Sequence, residues 1–301
     1  MTDNTEAKSV YAVVYQIGKV GSTSIVATLD ELPGFTAVQS HFLGEDILKD
    51  IIPTITNADV TSYFFKHQLG QFIDNMHVTR QINMIRAGKT PNRLMIISLS
   101  RDPLEWFRSS LVQDMEGYAP ILHNFGLKNG VPEGAESDVI EGALEKFAEK
   151  AADVIETTDG VDALVRTLET TGAGAFRGTA FQGNVQTQKI FRMMLRPFNW
   201  FDKHFAVSLG LTLEQMEKTD LGLEYSDDIA DYVVLRYEDI ATTLRAYLEK
   251  MDLPVYDELL RKNDSTSKQF ADETKRAMKS ASGQRLNALF AQSRYSRAFG
   301  Y

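Results

Sequence analysis

An α/β fold, with a central, mostly parallel sheet flanked by helices, is what this chain predicts, on three observations. Short apolar runs rich in β-branched and aromatic residues recur along it. Stretches of helical periodicity separate those runs. A glycine-rich loop joins the first run to the first helical stretch. The runs lack a strict apolar–polar alternation, as strands covered on both faces do.

The elements follow in order. Residues 10–16 form the first strand and residues 22–32 the first helix. Residues 35–40 and 62–66 read as the second and third strands, being short and apolar. A helix over 72–87 precedes the fourth strand at 94–100, and a helix over 103–115 follows it. The later helix at 103 is well marked at its start. Asp102 suits the N-cap, Pro103 the first helical position, and Glu105 the third position of a capping box. From residue 116 to 183 the character changes, with many glycines, an acidic stretch at 132–138 and an amphipathic helix over 139–155. This reads as a helical insertion, serving as a lid or acceptor-binding wall, or as a plain surface excursion. A helix over 185–195 comes next, then the fifth strand at 232–236. The last roughly 60 residues are helical, with breaks at Pro254 and Gly283. The whole is read as one domain over residues 1–301.

Composition limits the function classes. The chain has 301 residues, 43% hydrophobic and 24% charged, which suits one large globular domain or two small ones. It has no cysteine, so disulfides and thiolate metal sites are excluded. Its first residues are polar, and no apolar run approaches the roughly 20 residues that span a bilayer. A cytoplasmic protein without stable membrane insertion is the expectation. The net charge of −9 argues against nucleic acid as a partner. In so acidic a chain, the few placed cations carry information.

Gln16-Ile17-Gly18-Lys19-Val20-Gly21-Ser22-Thr23-Ser24 is the first constellation. Glycines permit a tight turn and close approach of an anion. The start of the following helix offers unpaired N–H groups and a positive dipole end. Lys19 adds a charge, and Ser22, Thr23 and Ser24 add hydroxyls. This is a cradle for a phosphate-like group, with a purely structural turn as the plainer reading. A nucleoside triphosphatase loop would place a lysine directly after its last glycine. Here Lys19 lies between the glycines, and no third glycine completes a dinucleotide fingerprint.

Ser98-Leu99-Ser100-Arg101-Asp102-Pro103, continuing to Ser109, is the second. Ser109 lies seven residues after Asp102 and returns to nearly the same helix face. Arg101 and Ser109 can therefore serve one cleft, as a guanidinium and hydroxyl suited to a second phosphate.

Together these motifs resemble the sulfotransferase family that uses 3′-phosphoadenosine 5′-phosphosulfate (PAPS). Gly18-Lys19-Val20-Gly21-Ser22-Thr23-Ser24 looks like its 5′-phosphosulfate loop. Arg101, Asp102, Pro103 and Ser109 match its 3′-phosphate motif position by position. Residues 232–240 are similar to its later strand and turn, and residues 295–301 to its usual end. Asn199-Trp200-Phe201-Asp202-Lys203 resembles a branch described as capsular polysaccharide synthesis proteins. The resemblance implies a P-loop-like sulfotransferase architecture, PAPS as co-substrate, no metal requirement, and a hydroxyl acceptor on a small molecule or glycan. It implies that Lys19 contacts the transferring group, Gly21–Ser24 hold the 5′-phosphate, and Arg101 and Ser109 hold the 3′-phosphate.

Sulfuryl transfer to an alcohol also needs a base. His41, after the second strand, is placed for it, and a neutral imidazole suits the task near pH 7. His67, beside Lys66 at the end of the third strand, competes for the role, and Lys66 and His67 are also candidates to bind the substrate. Arg192 and Arg196, one helical turn apart, are candidates to clamp an anionic substrate. Trp106, Phe107, Trp200 and Phe201 read as core, and His204 as a packing residue. Two other classes stay open: a nucleotide kinase or triphosphatase, and a non-catalytic nucleotide-binding protein. Acceptor and oligomeric state are not legible.

Overall fold

The structure, a computed structural model, describes residues 9–56, 62–260 and 268–301. Strand β1 (Val10–Tyr15) leads through the glycine loop into α1 (Ser22–Asp30) and β2 (Phe35–Ser40). Helices α2 (Glu45–Ile55) and α3 (Ser62–Arg86) precede β3 (Arg93–Ser100). A run of helices follows: α4 (Pro103–Gln113), α5 (Met115–Lys128), α6 (Glu136–Thr157), α7 (Val161–Thr171), α8 (Val185–Met194) and α9 (Arg196–Trp200). A π-helical stretch, Phe201–Ala206, continues α9 into α10 (Val207–Leu209). The chain returns to sheet with β4 (Glu217–Lys218), β5 (Gly222–Ser226) and β6 (Ala230–Arg236). Helices α11 (Ile240–Lys250), α12 (Ala271–Lys279), α13 (Ala281–Ala291) and α14 (Arg294–Phe299) complete it.

Contacts gather these elements into two compact units, divided at Ser100/Arg101, at Asn199/Trp200, and again before α12. The first unit holds the sheet. Its order is β2-β1-β3-β6-β5-β4, with β2, β1, β3 and β6 parallel and β5 and β4 antiparallel. The fold is therefore α/β with a mixed, mostly parallel sheet. Every residue of β1 is buried, as are Leu94–Ser100 of β3, which accounts for their lack of apolar–polar alternation. From β1 the chain first steps outward to β2 and later returns to the opposite side of β1 with β3. In an open sheet, such a reversal leaves a crevice beyond the carboxyl ends of the two central strands.

The region expected to form a third strand, residues 62–66, is instead the start of α3. A short aromatic run cannot be told from a buried helix segment by periodicity alone. What decides is the continuation: Asn75, Val78, Ile82 and Ile85 are buried at spacings of three and four. The antiparallel pair β4–β5 had no sequence signal. It is a short, largely polar hairpin at the sheet edge.

The second unit is helical. Its helices α5, α6 and α7 cover most of residues 116–183, and its bounds reach beyond that segment on both sides. Phe147 of α6 lies at its centre, with ring centroids 5.2 Å from Phe181, 5.8 Å from Phe125 and 6.1 Å from Phe107. Phe147, Phe107 and Phe181 are inaccessible to solvent. Trp106 and Phe107 are core residues here, as Trp200 and Phe201 are in the sheet unit. Gly283 does not break a helix. It sits in the first turn of α13, where a Cβ would lie 2.2 Å from the Met278 carbonyl oxygen. The break falls at Ser280, which caps α13. No helix among the described residues is long and apolar enough to cross a membrane.

Phe147→Ala removes the ring on which Phe107, Phe125, Phe181 and Phe191 pack and should cost about 3–5 kcal/mol in chemical denaturation. Lys146→Ala beside it loses only a partly exposed ion pair to Glu149, and should stay within about 1 kcal/mol.

Candidate functional site

The loop after β1 is organised by one buried side chain. Gln16 is fully buried at the end of the strand, and its N–H still bonds Ser40 of β2 at 3.3 Å. Its side-chain carbonyl accepts from the Gly18 N–H, and its amide nitrogen donates to Ser22 Oγ at 2.8 Å. The loop is thereby clamped between strand and helix. Gly18, Lys19 and Gly21 all take left-handed backbone, with φ of 93°, 59° and 74°. For Lys19 this costs about 1–2 kcal/mol, a strain of the kind that concentrates at ligand clamps.

Gly21 is required twice over. Its φ disfavours any side chain, and a Cβ there would lie 2.6 Å from Cε2 of Tyr237, in the turn after β6. Helix α1 opens at Gly21 with no side-chain cap, so its first turn presents main-chain N–H groups. Thr23 is exposed and Ser24 half-buried. Ser22 is buried and engaged by Gln16, so its hydroxyl belongs first to the loop's own scaffold.

His41 lies against this loop. It follows β2 directly, and a Cβ at Gly18 would sit 3.9 Å from its Cε1. Its Nδ1 is 3.0 Å from the Gln16 carbonyl oxygen. A carbonyl only accepts, so Nδ1 carries the proton. In the neutral ring Nε2 then holds the lone pair, which accepts from Gln39 Nε2 at 2.9 Å. A fixed Nδ1–H and a basic Nε2 form the arrangement of an oriented general base.

His67 loses its expected position. With residues 62–66 helical, Lys66 and His67 lie on α3, not at a strand tip. Lys66 is exposed, and the His67 side chain lies outside the described residues.

In the helical unit, Arg101 precedes α4 and is half-buried. Its main chain is fastened by Tyr295 of α14, whose hydroxyl accepts from the Arg101 N–H and donates to the Arg101 carbonyl, both at 2.9 Å. Asp102 caps α4 by accepting from the Glu105 N–H at 2.8 Å. The Glu105 carboxylate pairs with Arg108 at 2.5 Å. Ser109 is half-buried, two turns into α4. Arg192 lies in the last turn of α8 with its guanidinium 5.9 Å above the Phe176 ring, and Arg196 opens α9. His204, on the π-helical stretch, packs on Trp200 at 6.1 Å. A hollow of about 470 Å³ between α2 and α3 contains none of these residues.

No protein-family model, no curated protein and no solved structure matches this chain. A functional reading therefore rests on its own residues.

Four contributors escaped the sequence: Gln16, Gln39, Tyr237 and Tyr295. Tyr237 had a signal, since it follows the tip of a parallel strand, as His41 does. The others act through contacts that spacing does not reveal.

Gln16→Met keeps the volume and removes the clamp. It should cost about 1–3 kcal/mol, the usual cost of leaving buried polar partners unpaired. The Gly18 and Lys19 amides should then exchange hydrogen faster than those of β1, and unchanged protection there would contradict the clamp.

Proposed function

We propose that this chain is a PAPS-dependent sulfotransferase acting on a hydroxyl acceptor, with a saccharide as the acceptor class that the resemblance implies. The observation that carries the reading is the left-handed Gly18-Lys19 turn at the mouth of α1, lying against a histidine of fixed tautomer.

The chemistry follows from those parts. The acceptor oxygen attacks sulfur and forms a new S–O bond. The bond from sulfur to the bridging 5′-phosphate oxygen breaks, and adenosine 3′,5′-bisphosphate leaves. The acceptor proton passes to His41 Nε2, which the Gln16 carbonyl supports from the opposite side of the ring. For this Nε2 must exchange Gln39 for the acceptor hydroxyl. Lys19 Nζ neutralises charge that builds on the departing phosphate oxygen, where a preplaced cation is worth most. The N–H groups and hydroxyls of Gly21, Ser22, Thr23 and Ser24 hold the 5′-phosphate. Arg101 and Ser109 are assigned the 3′-phosphate, with Tyr295 as the residue that positions Arg101. Lys66 and His67 drop out of the substrate roles, because α3 removes the strand tip on which those roles rested.

The kinase or triphosphatase alternative is weaker on one specific point. It needs a lysine directly after Gly21, where Ser22 stands with its hydroxyl engaged by Gln16. A non-catalytic nucleotide-binding protein would not need the His41 arrangement.

Calorimetry separates the three. Adenosine 3′,5′-bisphosphate should bind more tightly than AMP or ATP with Mg²⁺, and Arg101→Ala should weaken it by about 10- to 100-fold. His41→Ala should leave that affinity unchanged and lower transfer by about 10²- to 10⁴-fold. Absence of bisphosphate binding overturns the reading, and normal turnover by His41→Ala removes the base.

A further inference from the structure

Helix α3 is apolar on two faces. Asn75, Val78, Ile82 and Ile85 are buried and seat the helix in the sheet unit. At about 100° per residue, Phe65, Leu69, Ile73 and Met76 form a stripe about 80° wide on roughly the opposite face. A surface helix ordinarily sets polar residues there. These four side chains are instead 36–47% exposed. Nine large apolar side chains are exposed among the described residues, so four in one row are a patch and not scatter. The row runs into the hollow of about 470 Å³ between α2 and α3, which Met76 lines with Leu48, Met84, Arg80 and Lys89.

Cations bracket this stripe. Lys66 follows Phe65 at one end, Arg80 stands one turn beyond Met76 at the other, and Lys89 is on the rim of the hollow. All three are exposed. Asp74, the carboxylate of α3, lies off the stripe, and Glu45 of α2, which also lines the hollow, is 3.8 Å from Lys49. In a chain of net charge −9, such a face is complementary to an acidic partner. A second copy of the chain does not supply one. Packing two such stripes together gathers the Lys66 and Arg80 of both copies into one seam, with no carboxylate on the stripe to meet them. A partner helix seats in a groove, whereas a single row standing out from one helix suits a yielding surface.

We infer that the α3 stripe docks on an anionic lipid surface. Phe65, Leu69, Ile73 and Met76 enter the headgroup boundary, and Lys66, Arg80 and Lys89 meet lipid phosphates. This is docking on the surface, not insertion across it. The stripe lies wholly in the sheet unit, and the inference is independent of the sulfotransferase reading.

The test is co-sedimentation of the full chain with vesicles of phosphatidylcholine alone, and of phosphatidylcholine and phosphatidylglycerol in equal parts. The mixed vesicles should be bound about tenfold or more tightly, and high salt should erase that preference. Ile73→Ser combined with Met76→Ser should weaken binding to the mixed vesicles by about tenfold or more. Lys66→Gln combined with Arg80→Gln should remove the preference for them, and this pair decides the matter if the first variant does not fold. No binding to vesicles, equal binding to both kinds, or undiminished binding by either variant overturns the inference. So does a dimer of the unmodified chain that ignores vesicles and that Ile73→Ser with Met76→Ser converts to monomer, which gives the stripe to a second copy.

Discussion

The buried amide of Gln16 is the interaction on which the site depends. A parallel strand must leave the sheet through a crossover, and its last backbone groups must find partners while the chain turns. Gln16 meets that need from one position. Its main chain bonds β2, its side chain bonds both ends of the loop, and its carbonyl fixes the proton on His41. Loop shape and histidine tautomer are thus set by the same residue. The left-handed turn at Gly18 and Lys19 persists because both sides of it are clamped, and Tyr237 closes the space behind Gly21.

The parallel core was legible because both its faces are covered. Strands β1, β3 and β6 show as short, mainly apolar runs without strict alternation, and the order in which they appear matches the sheet. The start of α4 was legible for a local reason, as Asp102 and Pro103 encode a cap within three residues. Features that depend on tertiary partners were not. The aromatic run at 62–66 joins a helix because the following turns of α3 bury one face. The β4–β5 hairpin exists because β6 offers it an edge. Gly283 looked like a breaker because its requirement is the Met278 carbonyl, which no helix propensity encodes.

The same distinction holds for the site residues. The gathering of Lys19, Gly21 and His41 around one loop was readable because each follows a strand, and the roles proposed for them rest on that placement. Gln16 and Tyr295 were not. The Tyr295 hydroxyl meets a main chain 194 positions away, and nothing in the terminal helix announces that contact. Arg108, Arg276 and Arg285 of the helical unit pair with carboxylates, which a net charge of −9 makes abundant.

The account's central claim is that Gly18–Ser24 receives the 5′ end of a nucleotide carrying separate 3′ and 5′ groups. Amide chemical-shift mapping during titration with adenosine 3′,5′-bisphosphate tests this most directly. The account predicts saturable shifts at Gly18, Lys19 and Gly21–Ser24, and at Arg101 and Ser109, with the same apparent affinity, and weaker changes with AMP. Shifts confined to other regions, or equal shifts with ATP and Mg²⁺, would contradict it.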